Sequence, residues 1–115
     1  MYNNPIEVAQ SMTKKLKEDE KCDLVICLSH IGFKYKNEPE KVCDIMLAQQ
    51  TKNIDLIIGG HTHTFLDKPV LEKNLEGKDV IINQVGCFGI NLGRIDFYLT
   101  DDVTYDSTTK NIILG

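Results

Sequence analysis

The chain has 115 residues, of which 42% are hydrophobic and 26% are charged, and its formal net charge is −4. This length allows one small domain, and this composition is typical of folded rather than disordered chains. Arg94 is the only arginine among 13 scattered basic residues, so the sequence lacks the basic stripe of a nucleic-acid-binding surface. No apolar run approaches the roughly 20 residues that a membrane-spanning helix needs.

The first predicted element is a helix near the start of the chain. Asn4 is placed to cap it, Pro5 suits the first helical position, and Glu7 stands where a capping-box carboxylate would. Apolar residues then recur at helical spacing as far as Leu16. We expect this helix to end near Glu20.

Two apolar runs rich in β-forming residues, 22–28 and 54–58, predict short strands. Their nearly continuous apolar character is typical of strands buried on both faces, as in a parallel sheet. Between them, Asn37 and Glu40 form a second capping signal, which predicts a helix that continues to about Thr51. A strand, a helix and a strand in this order form a right-handed crossover, so the two strands should run parallel.

After residue 64 the sequence changes to short runs of β-forming residues with glycine-containing turns between them. In residues 92–100, apolar and polar side chains alternate, which is typical of a half-exposed antiparallel strand. The predicted strands are 69–71, 78–85, 92–100 and a short closing strand at 111–114. The fold class is therefore α/β, with a strand–helix–strand unit followed by antiparallel strands, in a single domain over residues 1–115.

Four cysteines occur in the chain, but their spacing matches neither a CxxC pair nor a zinc-finger pattern. They are Cys22, Cys27, Cys43 and Cys87. We interpret them as small buried apolar thiols rather than as a disulfide framework.

The three histidines of the chain all fall directly after the two predicted parallel strands. His30 follows the first strand, and His61 and His63 follow the second. Ligands bind outside the carboxyl ends of strands in open α/β sheets, and neutral imidazole is a common ligand for zinc and other transition metals. The three histidines are therefore candidate metal ligands, although a flexible turn with exposed rings would show the same spacing.

Small and hydroxyl-bearing residues surround these histidines. Glycines at positions 59 and 60 would let the backbone turn sharply and approach an ion closely. The hydroxyls of Ser29, Thr62 and Thr64 are candidates to orient the rings or to bind a substrate oxygen. Gly60 and these three residues form the predicted set of supporting or substrate-contacting residues.

Carboxylates are the missing part of this pattern, because two-metal hydrolases use them to hold ions about 3.5–4 Å apart. Asp23 and Asp55 fall at the amino ends of the predicted strands, which is the wrong edge of the sheet. Asp67 lies near the histidines in sequence but within a loop. The sequence therefore supplies histidine donors without an evident bridging carboxylate.

Three stretches taken together resemble the calcineurin-like metallophosphoesterases, and most of all their 5′-nucleotidase group. They are residues 23–32, 54–64 and 86–95, and the resemblance extends over roughly residues 5–100. It implies a phosphoric ester hydrolase that holds two divalent metal ions, zinc, manganese or similar, at the strand ends of a four-layer β-sandwich flanked by helices. A metal-activated hydroxide would then attack phosphorus.

Matched by motif, His30 and His61 resemble ligands of one ion, and His63 resembles a ligand of the other. The family's Asp-x-His, Gly-Asp and Gly-Asn-His motifs, which supply the bridging aspartate and other groups, have no counterpart in this sequence. No residue is therefore assigned as catalytic, and the chain resembles the later half of a catalytic domain. Alone, it is expected to bind metal weakly and to have little activity.

The resemblance implies a phosphate ester or nucleotide as the substrate of a parent protein. A cyclic-nucleotide phosphodiesterase or a sugar-nucleotide hydrolase of the same family is an alternative, and a non-catalytic metal-binding or interaction module is an alternative of another class. An isolated half-domain should expose a strand edge or an apolar face, which favours self-association. The resemblance implies an exported or periplasmic parent, whereas four cysteines without evident partners favour a reducing compartment, so localisation stays open.

Overall fold

A computed structural model describes residues 3–99 and 105–114 of the chain. Its elements, in chain order, are α1 Pro5–Glu18, β1 Ile26–Leu28, α2 Asp44–Gln49, β2 Leu56–Ile58, β3 Val70–Lys73, β4 Asp79–Asn83, β5 Asn91–Leu99 and β6 Tyr105–Ile113. The first four strands form one sheet in the order β1-β2-β4-β3, and β5 pairs with β6. The predicted α/β class is confirmed, whereas the four-layer sandwich stays a prediction.

Helix α1 begins where the sequence predicts. The Asn4 side chain accepts a hydrogen bond from the Ile6 amide at 2.9 Å, and Pro5 is the first helical residue. The cap and the proline act within one turn of the chain, so they are visible in the sequence. The helix ends at Glu18, two residues before the predicted end.

The predicted start of the second helix is wrong. Residues 37–41 form a turn in which the Lys41 amide donates to the Glu38 carbonyl at 3.0 Å, and α2 begins only at Asp44. The Asp44 amide donates to the carbonyl of Gly32 at 2.8 Å. A backbone contact with the loop at Gly32 thus satisfies the first amide of this helix, which has no partner within the helix.

The central sheet combines parallel and antiparallel pairs. Strand β1 pairs parallel with β2, as the crossover predicts, and β3–β4 and β5–β6 are antiparallel, as expected. Strand β4 also pairs parallel with β2, which the sequence analysis did not anticipate. Three neighbouring strands therefore end at the same edge of the sheet.

The core lies between the helices and one face of this sheet. Its buried residues come from α2, from the entry to β2, and from β2 and β4: they are Leu47, Ala48, Ile54, Ile57, Val80 and Ile82. Partly buried Ile6 and Ala9 of α1 pack against them. Apolar burial of this kind is the main stabilising term of the fold.

The expectation that both predicted parallel strands are buried on both faces is wrong for β1. Ile26 and Leu28 are exposed, and Leu28 has 80% of its surface accessible. Among the described residues, β1 is an edge strand with β2 as its one neighbour. The apolar run is thus preserved in the sequence, but nothing in the described part of the chain covers its outer face.

The antiparallel β5–β6 pair meets the first sheet through two side-chain amides. Asn83 donates to Asn111 at 2.8 Å, and Asn111 donates back at 2.9 Å. The closing strand is longer than predicted, because β6 begins at Tyr105 rather than near residue 111. Residue 100, the predicted end of β5, lies outside the described residues. Neither helix of the described part has the length and apolar character required to cross a bilayer.

Candidate metal centre

Three loops converge at the edge where β1, β2 and β4 end. The first contains Ser29 and His30, the second spans residues 59–64, and the third begins at Gln84. Backbone hydrogen bonds hold the starts of these loops together. For example, the Ser29 amide in the first loop donates to the carbonyl of residue 58, just before the second loop, at 2.8 Å. The parallel order of the strands brings loops that are far apart in sequence to one place.

Two of the predicted metal ligands lie side by side at this edge. The ring centroids of His30 and His61 are 5.3 Å apart, with an angle of 69° between the ring planes. Both side chains are exposed. A Cβ atom on Gly60 would lie 2.9 Å from Nδ1 of His30, so the absence of a side chain at this position makes room for the imidazole.

The third predicted ligand, His63, has a different neighbour. Its ring lies edge-on to Phe88, with the centroids 6.4 Å apart. Phe88 belongs to the loop after β4 and has 90% of its surface accessible. The structure therefore brings His30 and His61 together and places His63 on the side of the loop that faces Phe88.

The backbone of this loop is strained at both histidines. His61 has a φ angle of 75° and His63 has a φ angle of 51°, which are left-handed values. Residues with a side chain rarely adopt this conformation, and such residues cluster at functional sites. The strain requires the surrounding contacts to hold the loop in place.

The donors at this edge fit part of a metal site. In residues 3–99 and 105–114, no cluster of three or more histidine, cysteine, aspartate or glutamate side chains has an arrangement that could hold a metal ion. The His30–His61 pair nevertheless offers two solvent-accessible imidazoles of the kind that zinc and similar ions bind. The glycine beneath the His30 ring adds space for that ring at the loop.

A buried carboxylate lies beneath the same loop, and the sequence analysis missed it. Asp44, the first residue of α2, has 0% of its surface accessible. Its Oδ1 atom accepts a hydrogen bond of 2.5 Å from Ser29, whereas Oδ2 has no hydrogen-bond partner within residues 3–99 and 105–114. A Cβ atom on Gly59 would overlap this unpaired oxygen, so the loop backbone lies directly against it.

Burial raises the pKa of the Asp44 carboxyl above its ordinary value, and the hydrogen bond from Ser29 opposes part of that rise. Burial also raises the pKa of the Cys27 thiol, and the nearby Asp44 carboxylate adds to this effect. All four cysteines are free thiols, and only Cys43 is buried, so the expectation of buried thiols is wrong for the other three, which are partly exposed. A buried carboxylate with one unpaired oxygen is costly and rare in folded proteins, which marks this position as unusual.

The predicted hydroxyl residues support the loop from below. Thr62 Oγ1 accepts from the Phe33 amide at 3.1 Å and lies 2.8 Å from Thr64 Oγ1. The amide of Thr64 donates to the side-chain carbonyl of Gln84 at 2.6 Å. The Ser29 hydroxyl donates to Oδ1 of Asp44, which joins the loop after β1 to α2. Their side-chain hydrogen bonds thus hold the loops together, and their predicted role toward the rings or a substrate stays a prediction.

Sequence reasoning also missed Gln84, which is 2% exposed and directly follows β4. The available signal was its position after a strand, the same signal that singled out the histidines. A position after a strand indicates this edge of the sheet only for strands that run parallel to β1 and β2, and the sequence does not show that β4 does so.

Known proteins share both the sequence and the fold of this chain. No protein-family model matches it. The chain is 41% identical over 112 residues to the trifunctional nucleotide phosphoesterase protein YfkN of Bacillus subtilis, covering 97% of this chain and 7% of that protein. It is 36% identical to an apyrase of Tabanus yao, covering 88% of this chain and 20% of that one. A crystal structure of a 5′-nucleotidase precursor from Thermus thermophilus superimposes with a TM-score of 0.81 at 25% identity, over 97% of this chain.

Over nearly its whole length, the chain is similar to proteins of the 5′-nucleotidase group. It spans 7 to 23% of the length of these three proteins, so it corresponds to one segment of them. The resemblance stated from the sequence is thereby confirmed. The three related proteins are named as a nucleotide phosphoesterase, an apyrase and a 5′-nucleotidase precursor, and all of these names describe enzymes.

Proposed function

We propose that the chain supplies part of the active site of a metal-dependent phosphoric ester hydrolase of 5′-nucleotidase type. The observation that carries this proposal is the convergence of His30 and His61, whose ring centroids lie 5.3 Å apart at the ends of neighbouring parallel strands. The names of the related proteins support nucleotides as the substrate class. Two divalent ions, zinc, manganese or similar, are the proposed cofactors.

In this proposal His30 and His61 hold one ion and His63 contributes to the other. Bound divalent ions supply an activated water and stabilise charge on a transferring phosphoryl group. The chain's own residues position the donors. Gly60 leaves room for the His30 ring, and the bonds beneath the 59–64 loop hold its two histidines in their left-handed conformation. The carboxylates that complete a two-metal site are proposed to come from another part of a parent protein.

The domain assignment follows from the same proposal. Residues 1–115 form part of one catalytic domain, and the parent acts on nucleotides or related phosphate esters. An exported parent is supported by the description of the Thermus thermophilus relative as a precursor. A panel of nucleoside monophosphates, cyclic nucleotides and sugar nucleotides, tested on the full-length parent, would separate a 5′-nucleotidase from the two alternatives within the family.

A zinc titration with matched histidine variants tests the ligand assignment. His61→Asn should weaken zinc binding to this chain by roughly tenfold or more, because it removes one of two converging imidazoles. His63→Asn is the matched control, since both positions have left-handed backbones, which asparagine tolerates well. Calorimetry gives the affinities, and NMR of the three imidazoles shows which rings respond.

The expected pattern is a joint response of His30 and His61, with a smaller effect of His63→Asn on this first binding event. Equal zinc affinity of the unsubstituted chain and His61→Asn would contradict the assignment of the pair. In the full-length protein, His61→Asn should also abolish most metal-dependent phosphate release.

We further propose that the isolated chain self-associates through β1. Its outer face carries exposed Ile26 and Leu28, next to partly exposed Ile58 of β2, and β1 is an edge among the described strands. Leu28→Lys should reduce the association, because a charge on an edge strand opposes pairing with another chain. Light scattering over a concentration series measures it, with Leu75→Lys, exposed in the β3–β4 turn, as the control. A monodisperse monomer at high concentration would contradict the proposal.

A further inference from the structure

We propose that Gln84 is a positioning residue, which fixes the loop of His61 and His63 through one buried side-chain amide. The metal-binding role of those histidines belongs to the proposed function, on which the significance of this inference rests. The hydrogen bonds themselves can be tested without any metal. Nothing in the pattern of histidines pointed to this glutamine.

The amide of Gln84 makes three hydrogen bonds to the 59–64 loop. Its Oε1 accepts from the Thr64 amide at 2.6 Å and from the Thr62 hydroxyl at 3.2 Å. Its Nε2 donates to the Gly60 carbonyl at 3.1 Å. The side chain is 2% exposed, so water does not replace these bonds cheaply if they are lost.

The three bonds enclose the strained part of the loop. Gly60 precedes His61, and Thr64 follows His63, so both left-handed residues lie between the two backbone groups that Gln84 holds. Residues with a side chain rarely adopt a left-handed conformation. Without restraints at both ends, the loop would relax toward ordinary backbone angles and move the imidazoles.

The sheet explains why the glutamine reaches the loop. Strand β4 lies beside β2, and the Gly59 amide donates to the Asn83 carbonyl at 2.9 Å. Backbone bonds also join the segment after Gln84 to the far end of the loop, because the Gly86 amide donates to the Thr64 carbonyl at 2.8 Å. Backbone bonds thus anchor the loop at Gly59 and Thr64, and the Gln84 side chain adds bonds to Gly60, Thr62 and Thr64 on either side of the two histidines.

Two variants separate this positioning role from a general contribution to stability. Gln84→Leu removes all three hydrogen bonds at similar size. Gln84→Glu keeps acceptors for the Thr64 amide and the Thr62 hydroxyl but places an acceptor opposite the Gly60 carbonyl. Asn74→Ala is the control, because Asn74 is a second buried side-chain amide that accepts from two backbone amides, those of Glu76 and Lys78, in the turn before β4.

The readouts are hydrogen exchange of the Thr64 amide and the NMR signals of His61 and His63, under strongly native conditions without metal. In Gln84→Leu, we expect exchange of the Thr64 amide to accelerate at least about tenfold and both histidine signals to shift. In Asn74→Ala these signals should stay in place, even if global stability falls as much. Unchanged Thr64 exchange and unchanged histidine signals in Gln84→Leu would overturn the inference.

If Gln84→Leu does not fold, Gln84→Glu tests the positioning role of Gln84. The expected result is a displaced His61 signal with Thr64 protection retained, because only the bond to Gly60 is lost. No change at His61 in this variant would overturn the inference. A zinc titration of the same proteins separates the two proposals: weak or absent binding by the unsubstituted chain would count against the metal site alone, and the exchange data would still decide the role of Gln84.

Discussion

Replacing Gly59 by alanine is expected to lower the free energy of unfolding by about 3 kcal/mol. The added methyl group would overlap Oδ2 of Asp44, which is fully buried and cannot swing into solvent. Moving that carboxylate would break its hydrogen bond with Ser29. Urea denaturation followed by circular dichroism measures the change.

A double-mutant cycle shows whether this contact is the cause. Asp44→Ala removes the obstructing carboxylate, so Gly59→Ala should cost less than about 1 kcal/mol in that background. The coupling between the two positions should therefore be large. Additive effects of the two substitutions would mean that Gly59 is needed for a reason other than its contact with Asp44.

Asp44→Asn is expected to raise the free energy of unfolding by about 1–2 kcal/mol at pH 7. The native carboxylate is buried with one unpaired oxygen, whereas a neutral amide of the same shape is easier to bury and still accepts from Ser29. The gain should depend on pH. Burial raises the folded-state pKa of Asp44 above its ordinary value of 3.8, so ionisation opposes folding.

The destabilisation of the fold by the ionised Asp44 carboxylate changes with pH. The penalty is fully present above the folded-state pKa, decreases as pH falls through it, and is absent below the ordinary value of 3.8. The advantage of Asp44→Asn should therefore vanish in acid. Asp79→Asn is the control, because Asp79 is an exposed carboxylate paired with Lys73, and its effect should stay within about 0.5 kcal/mol. A loss of stability in Asp44→Asn at pH 7 would contradict this prediction, because it would mean that favourable contacts in the folded chain offset the cost of burying the ionised carboxylate.

Elements whose cause is local were predictable from the sequence. The cap and proline of α1 act within one turn, and the apolar runs of β1 and β2 predict their parallel pairing through the crossover. The position of His30 and His61 at one edge follows from that pairing. In contrast, α2 begins at Asp44, where the first helical amide donates to the carbonyl of Gly32, and the pattern near Asn37 does not show this contact.

Two supporting residues of the site, Gln84 and Asp44, were missed because their roles depend on tertiary contacts. Gln84 reaches the loop only because β4 lies next to β2, although β3 comes between them in the chain. Asp44 falls inside the predicted second helix, and its burial against Gly59 is set by tertiary contacts that the sequence pattern does not show. The partner of His63 could not be predicted either, because Phe88 approaches from a loop whose path the spacing does not define.

The convergence of three strand-end loops has a consequence for folding. The groups that meet at this edge are spread over the sequence from Ser29 to Gln84, and they meet only when β1, β2 and β4 lie in order. Contacts between such distant segments form late and together in small domains. The proximity of His30 and His61 therefore reports the pairing of β1 with β2, whereas the hydrogen bonds of Gln84 to the 59–64 loop also require β4 beside β2. A chain that has paired only β1 and β2 would bring the two imidazoles together without the glutamine that holds their loop.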